Sequence, residues 1–474
     1  MTSTSTSTLA RLDLGPDFGG RILRSGDDGW DDAVLVWNGL VTHRPAVVVQ
    51  PASASDVALA VVYARDHDIE LSVKGGGHHI AGLSMTDGGM TLDMSAMRDV
   101  DVDVDAELAH VGAGCLLQDV DRATQAHRLA TTMGIVSEVG VAGLTLGGGF
   151  GYLARRFGWA ADNLEEVEIV TADGTVRVAS REQHADLFWA VRGGGGNFGV
   201  VTRFTFRLHE VDPTVYGGLI AWPFDRAGEV LRAYREITSS APLELTVFMV
   251  VLHAPPAPFV PPELVGAKSC AFAVCYTGPW EDLDAAMAPI RAIGDPVVDL
   301  LREVPYTELQ SMLDGTEPKG FHYYWKAEYA TELPDPLLDV WRESFLSCPM
   351  TDGQLVIGHI GGTINDRPAD DGVVDREVRY ILGAAGTWPP DDEAAEGESN
   401  RRWVRDTWAR FRPFTTGASY VNFHSDDDGP ERTAAAYGAN FERLQEVKAA
   451  CDPTNLFRRN RNITPREPGA ATRR

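Results

Sequence analysis

The chain is short of cysteine, of positive charge and of long apolar runs, and each shortage removes a class of protein. Only Cys115, Cys270, Cys275, Cys348 and Cys451 occur in 474 residues. Their number is odd, their spacing is scattered and no CxxC pair exists. That excludes a disulfide framework and a zinc knuckle. Reduced thiols of this kind fit the cytoplasm. The 12 histidines show no HExxH or similar ligand spacing, so no metal site is expected. Basic residues number 42 against 68 acidic ones, a net charge of −26. Nucleic acid needs a positive surface, so it is not an expected partner. The basic residues that do cluster are Arg458, Arg459, Arg461, Arg466, Arg473 and Arg474, and they read as a solvated tail. No stretch reaches the ~18–20 uninterrupted apolar residues of a membrane span, so no membrane partner is expected. Met1 to Thr8 alternates Ser and Thr, with no basic start and no apolar stretch. It is not a secretory signal, and residues 1–20 read as a disordered tail.

Glycine, by contrast, is abundant, with 48 residues. Gly75-Gly76-Gly77 follows Lys74 and precedes His78-His79. Adjacent glycines free the backbone, and successive N–H groups in such a turn converge on a phosphate. A histidine right after that cradle reaches whatever the phosphates belong to. Two more runs follow, Gly147–Gly149 and Gly193–Gly196. Each stands beside a strand-like segment. Three ordinary loops in a glycine-rich chain are one reading; the favoured one is a single large phosphorylated cofactor lying across a glycine-lined surface. The last run is not a dinucleotide fingerprint, because its glycines follow a helix and precede a strand instead of opening a helix.

The periodicities divide the chain into sections. From about Ala46 to Val211, strands and helices alternate. Ala46–Gln50 and Leu71–Val73 read as strands, with a helix capped by Ser55 or Asp56 between them. Thr91–Asp93 and His110–Gly112 are further strands, and Leu116–Leu129 is a helix. Glu166–Thr171 and Thr175–Ala179 form a hairpin around Asp173-Gly174. A short helix at His184–Val191 leads to a strand at Val200–Leu208. After Asp212-Pro213 the strands lengthen, at Tyr216–Trp222, Leu243–Leu252, Cys270–Tyr276, His322–Tyr329, Gln354–Gly361 and Val378–Gly383. Amphipathic helices at Ala227–Ile237 and Asp282–Ile293 lie between them. The class is α+β, with a mostly antiparallel sheet and helices on one face. Pro389 through Asn400 reads as an acidic surface loop. From about Thr415 a strand and then a helix, Arg432–Ala450, are expected.

Five fragments, in this order, carry a family resemblance. They are Lys74-Gly-Gly-Gly-His78-His79-Ile-Ala-Gly82-Leu83-Ser84; Gly140-Val-Ala-Gly143-Leu-Thr-Leu-Gly147-Gly148-Gly149-Phe150-Gly151-Tyr152 with Ala161-Asp162-Asn163; Leu187 through Arg192 to Asn197-Phe198-Gly199-Val200; Tyr420-Val-Asn422-Phe423; and Asp452-Pro-Thr-Asn-Leu-Phe457 with Asn460-Arg-Asn462-Ile463. From about Arg44 to Ile463 the chain resembles the FAD-linked oxidases of the vanillyl alcohol oxidase and p-cresol methylhydroxylase superfamily, in their berberine-bridge-enzyme-like branch. The resemblance implies an FAD-binding domain in two parts, residues 21–212 and 415–474, with a substrate domain, residues 213–414, between them.

It also implies roles. His78 matches the histidine that bonds the flavin's 8α-methyl group; a hydrogen bond to phosphate or backbone is the alternative. Lys74 stands for the more usual arginine, and His79 for Ser or Asn. Cofactor contacts are implied at Lys74, Gly75, Gly76, Gly77, His79, Gly82 and Ser84. Val139, Gly140, Gly143, Leu144, Gly147, Gly148, Gly151 and Leu153 continue the set. Ala161, Asp162, Val200, Asn422, Asn460 and Asn462 complete it. Many relatives have a second link through a cysteine in Gly-x-Cys-x-x-Val-Gly. Here Val136 occupies that position, so a single link is implied.

Tyr420 matches the residue facing the substrate and is the implied base, or else packs against the ring. A phenol of pKa ≈ 10 is a poor base unless a cation or the flavin lowers it. Leu382 falls where some plant relatives place a carboxylate. Tyr324, Lys326 and His359 are candidate substrate contacts, since a strand facing a cavity seldom keeps a charge or imidazole without a partner. Tyr324 and its neighbour Trp325 could instead be core. Val139 matches a valine that leaves room for O2. The implied activity is an oxidase: FAD takes a hydride from a C–H beside an alcohol, amine or phenol of a small secondary metabolite, and O2 becomes H2O2. A dehydrogenase with another acceptor, and a protein that sequesters a small molecule on the same fold, are the alternatives. Oligomeric state stays open.

Overall fold

The computed structural model describes residues 9–257 and 260–467. Its first section holds two sheets. In the smaller one, Val47–Gln50 and Leu71–Lys74 both run parallel to Met90–Asp93 between them, and Arg21–Leu23 adds an antiparallel edge. Parallel neighbours need a crossover, which the helix Ala54–Asp66 supplies. Its cap is Ser53, whose hydroxyl accepts from the Asp56 N–H at 3.2 Å, two residues before Ser55 and three before Asp56, the caps expected. The larger sheet is antiparallel, in the order Val100–Asp103, Leu108–Gly112, Val200–Arg207, Leu164–Val170, Val176–Ser180. The hairpin turn expected at Asp173-Gly174 forms. Gly174 has φ +81°, and Asp173 Oδ1 accepts from the Thr175 N–H at 3.1 Å.

The middle section is one antiparallel sheet, in the order Val298–Asp299, Thr214–Pro223, Lys268–Tyr276, Leu245–His253, Gln354–His359, Tyr380–Trp388, His322–Ala330, with Arg302–Pro305 also on Thr214–Pro223. The helices Ala227–Ser240, Asp335–Leu346 and Glu393–Phe411 pack on one face of it. The α+β class with a mostly antiparallel sheet is what the strand pattern indicated.

Three local expectations fail. The segment at residues 389–400 is not a loop: a helix begins at Glu393, and further along it Trp403, Val404 and Phe411 are buried against the sheet. Its acidic start sits at a helix N-terminus, where carboxylates are favoured. After Thr415 no strand forms among the described residues. Tyr420 instead precedes a 3₁₀ turn, Val421–Phe423, and the following helix splits into Pro430–Tyr437 and Phe441–Cys451. The tail expected over residues 1–20 does not extend that far. Residues 1–8 lie outside the described residues, but Leu9, Leu12 and Leu14 are buried in the core of the first section.

That same core takes in the end of the chain, with Val421, Leu444, Val447, Leu456, Phe457 and Ile463. Lys448 and Asp452, both fully buried, pair at 2.6 Å. Lys448 Nζ also donates to the carbonyls of Asn197 and Phe457, and Asp452 accepts from the Leu456 and Phe457 N–H groups. Every charge there is satisfied, which is what a buried pair requires. The first section grips the sheet through Arg155, which donates to the carbonyls of Gly361, Pro242, Leu245 and Ala241.

Candidate active site

Two glycine loops meet back to back beneath a large cavity. A Cβ on Gly76 would stand 2.4 Å from the Gly140 nitrogen, and one on Gly140 would stand 2.2 Å from the Gly76 nitrogen. No other residue permits that approach. At Gly143 and Gly196 a Cβ would meet nothing within 4 Å, so the surface above them is open. The cavity encloses about 1250 Å³. An ordinary ligand pocket holds ~300–1,000 Å³, so there is room for a cofactor with a second molecule beside it.

One end of this cavity is polar and unsatisfied. Ser84 Oγ, the Tyr437 hydroxyl, Arg459 Nη2, Asn460 Oδ1 and Arg461 Nε are buried without a partner, and all five residues border the cavity. Buried polar atoms nearly always have partners, so this set is built for a polar ligand. Two guanidinium groups beside glycine N–H groups suit a pyrophosphate. FAD, with its pyrophosphate and long flat rings, fits both the polar end and the open glycine surface.

Gly75, Gly76, Gly77, His78, His79, Ser84, Val139, Gly140, Gly143, Leu144, Val200, Asn422 and Asn460 all border the cavity. Other expected contacts do not. Lys74 is buried below the cradle, where Nζ donates to the Ala33 carbonyl at 2.7 Å. Gly82 turns at φ +63° against Val41. Gly147 packs on the Asn422 amide and Gly151 on the Met133 carbonyl, while Leu153 and Ala161 belong to the core. Gly148 lies beside Tyr420 and Trp159. Asp162 is bonded twice to Arg376, at 2.7 Å each, and accepts from the Trp159 N–H. Asn462 has a buried, unpartnered Oδ1 but is not on the cavity wall.

Arg459 and Arg461 correct the reading of a solvated tail. Both line the cavity, and Arg461 also holds the carbonyls of His424, Ser425 and Asp428. Their spacing resembled any basic chain end. Only folding back against the first section distinguishes them.

The histidines of the cradle are neutral. Burial, then the charge of Lys319, lowers His78 to about 4. Burial, then Arg461 and Arg459, lowers His79 to about 3. The His78 ring stacks on Trp37 at 5.5 Å, and Trp37 stacks on Tyr323 at 3.7 Å. Next to Trp37 lies Glu317, whose carbonyl accepts from the indole N–H at 3.0 Å; burial raises its carboxyl to about 8. Nothing in the sequence around Trp37 or Glu317 marked them.

Tyr420 stands where the glycine surface meets the sheet. Its oxygen accepts from the Gly149 N–H at 3.1 Å and from Asn422 Nδ2 at 2.9 Å. Asn422 Nδ2 also donates to the carbonyls of Gly143 and Leu144. Phe150, Trp159 and Phe423 surround the ring. Burial pushes the phenol up to about 12; the two accepted bonds oppose this but do not reverse it. The lowering that a base would need is not produced by the protein, and no cation acts on it among the described residues.

Of the three expected substrate contacts, Tyr324 and His359 lie off the cavity wall, and Lys326 borders it with its ammonium turned away. Tyr324 donates to Asp427 at 2.6 Å, and Lys326 Nζ donates to Asp427 at 2.6 Å and Asp428 at 2.7 Å. Although Lys326 borders the cavity, its ammonium lies over Trp408 on the helix-covered side. His359 is buried and stacked on Tyr380, with its pKa held well below the usual value by burial and by Arg155 and Arg379. Leu382 also points into the helix-side core, while its neighbours Ile381 and Gly383 border the cavity, so no carboxylate stands there.

A family model described as an FAD binding domain matches residues 45–180, and one described as berberine and berberine like matches residues 419–464. An FAD-linked oxidoreductase of Dictyostelium discoideum is 30% identical over 452 residues, covering 94% of this chain and 95% of its own. The (R)-6-hydroxynicotine oxidase of Paenarthrobacter nicotinovorans is 30% identical over 460 residues, covering 94% and 97%. Among solved structures, 6-hydroxy-D-nicotine oxidase from Arthrobacter nicotinovorans is similar with a TM-score of 0.85 at 26% identity, over 96% of this chain and 100% of that one. Identity at this level over nearly the whole of both chains makes the protein an FAD-dependent oxidoreductase, a member of the berberine-bridge-enzyme-like branch of the vanillyl alcohol oxidase and p-cresol methylhydroxylase superfamily.

Proposed function

We propose that the protein is an oxidase of a small organic molecule, using FAD linked to the chain once, through His78. FAD supplies the two-electron acceptor for a C–H bond beside an alcohol, amine or phenol, with O2 as the onward acceptor and H2O2 as product. The observation that carries the reading is the Tyr420 hydroxyl. Two N–H donors hold its oxygen at the boundary between the glycine surface and the sheet. With both accepted bonds in place, its own proton is free to donate to a substrate heteroatom. Tyr420 therefore orients the substrate and holds a proton at its oxygen, rather than starting as an ionised base. Arg459, Arg461, Ser84 and the glycine N–H groups would hold the pyrophosphate, the two guanidinium groups offsetting its charge.

Support for attachment at His78 comes from a neutral ring on the cavity wall directly after the cradle, since a neutral imidazole is the nucleophilic form. Val136 also borders the cavity and has no thiol to offer a second link. Acid precipitation should leave the yellow colour in the pellet, and a tryptic peptide containing His78 should gain the mass of FAD. A colourless pellet over a yellow supernatant refutes attachment; a cysteinyl link refutes the single one. For the activity, anaerobic mixing with a metabolite panel should bleach the flavin, and air should restore it with peroxide formed.

A further inference from the structure

The sheet facing Tyr420 is paved with small residues. Along its strands the cavity side carries Ala221, Ala271, Ala273, Gly358, Gly383 and Ala385. Gly383 and Gly358 sit inside strands, where glycine weakens a sheet and often marks a close-lying ligand. Neither has a left-handed φ. A Cβ on Gly383 would meet nothing nearer than 4.0 Å, and one on Gly358 nothing nearer than 3.8 Å. Backbone strain and crowding therefore do not require glycine at either position. What its absence of a side chain provides is a broad, open floor. Phe150 is among the atoms 3.8 Å from that position at Gly358, and its ring is 5.2 Å from the Tyr420 ring, so this floor lies at the reacting end of the cavity.

The floor is also apolar. Between the small residues stand Leu219, Phe248, Val250, Val356 and Ile381. The polar side chains His253, Ser269, Arg302, Gln354 and Thr387 stand at or near strand ends, and Lys326, in mid-strand, has its ammonium held by Asp427 and Asp428. A sugar laid here would bury hydroxyls without partners, at a cost of roughly 1–3 kcal/mol each. A flat apolar molecule would lose none of its hydrogen bonds and would gain from every area it covers.

We infer that the substrate class is a flat, multi-ring, mostly apolar molecule with one or two polar groups, seated on this floor with Gly383 setting its size. The inference rests on the oxidase reading above, and equilibrium binding tests it without turnover. Purified holoenzyme, kept anaerobic, is titrated with 1-hydroxypyrene, phenol or cellobiose while the flavin absorbance is followed. The fused-ring phenol should perturb the spectrum and cellobiose should not. Gly383→Leu should keep its FAD and weaken 1-hydroxypyrene by about tenfold or more, while phenol changes by less than about threefold. Should Gly383→Leu fail to fold, Ala271→Leu makes the test from the same cross-strand row of the floor, with Val250 and Val356 standing between the two positions. Cellobiose binding as tightly as 1-hydroxypyrene, no spectral change with 1-hydroxypyrene, or undiminished 1-hydroxypyrene binding in the folded variant would overturn the inference. A protein that still bleaches with some other substrate in that case would leave the oxidase reading standing.

Discussion

The two faces of the central sheet are made from alternate residues of the same strands, yet they are opposite in kind. The helix-covered face carries Trp222, Met249, Phe272, Ile357 and Leu382, packed into a closed core. The cavity face carries Ala221, Val250, Ala271, Gly358 and Gly383. Large residues fill one side and hold the domain together; on the other, the glycines and alanines set among Leu219, Phe248, Val250, Val356 and Ile381 leave volume for a ligand. The central strands therefore have a folding face and a binding face, although Phe248 and Ile381 on the binding face also pack into the core shared with the first section.

The largest effect should come from the helix-covered face. Phe272 is fully buried, with its ring 4.9 Å from Trp222 and 5.5 Å from Tyr234. Phe272→Ala should cost about 3–5 kcal/mol in urea unfolding, whereas Val250→Ala, half-buried on the cavity wall, should cost less than about 1.5 kcal/mol. Equal losses would mean that the two faces do not differ in this way.

Across the cavity the damage should be chemical instead. Tyr420→Phe should retain FAD and slow flavin bleaching by about ten- to a hundredfold, the loss of one hydrogen bond to the substrate. Because burial pushes the wild-type phenol up to about 12, its protonated form prevails throughout the neutral range. The bleaching rate should then be flat from about pH 7 to pH 10 as far as this group is concerned. A rate that climbs steadily over that span would restore Tyr420 as an ionising base, and unchanged kinetics in the variant would remove it from the reaction.

A smaller effect is expected at Val139, which borders the cavity on the glycine side. One more methylene in a close-packed wall closes a small gap. Val139→Leu should slow the return of yellow absorbance in aerated buffer while bleaching stays within a few-fold. Wild-type protein that reoxidises over many minutes, yet reacts at once with an artificial quinone, would make the protein a dehydrogenase.

The smallest effect concerns His359, on the helix-covered face. Its pKa lies well below the ordinary ~6.5, so the folded state excludes a proton that the unfolded chain accepts. This contribution to stability is present above about pH 6.5 and declines as the pH falls. The urea midpoint should drop between pH 7 and pH 5, and less steeply in His359→Phe. Parallel slopes would show that His359 does not contribute.

The glycine runs, their order beside strands, the Asp173-Gly174 turn and the fold class were all legible in the sequence, because they are local. A backbone without side chains and a period of two announce themselves within a few residues. The glycine cradle itself pointed to Gly76 and His78, and the family resemblance to Gly140 and Asn422, all four on the cavity wall. The folded chain alone decided which face each strand residue occupies. Tyr324, Lys326, His359 and Leu382 were chosen from the right strands but with the wrong parity, and a step of one residue moves a side chain to the opposite face. Arg459 and Arg461 became ligand groups only when the chain end packed into the first core. Trp37 and Glu317 entered the wall only through contacts made across the whole chain. Periodicity reports that a strand has two faces; which one looks onto the cavity depends on where the helices pack, and that is settled by tertiary contacts.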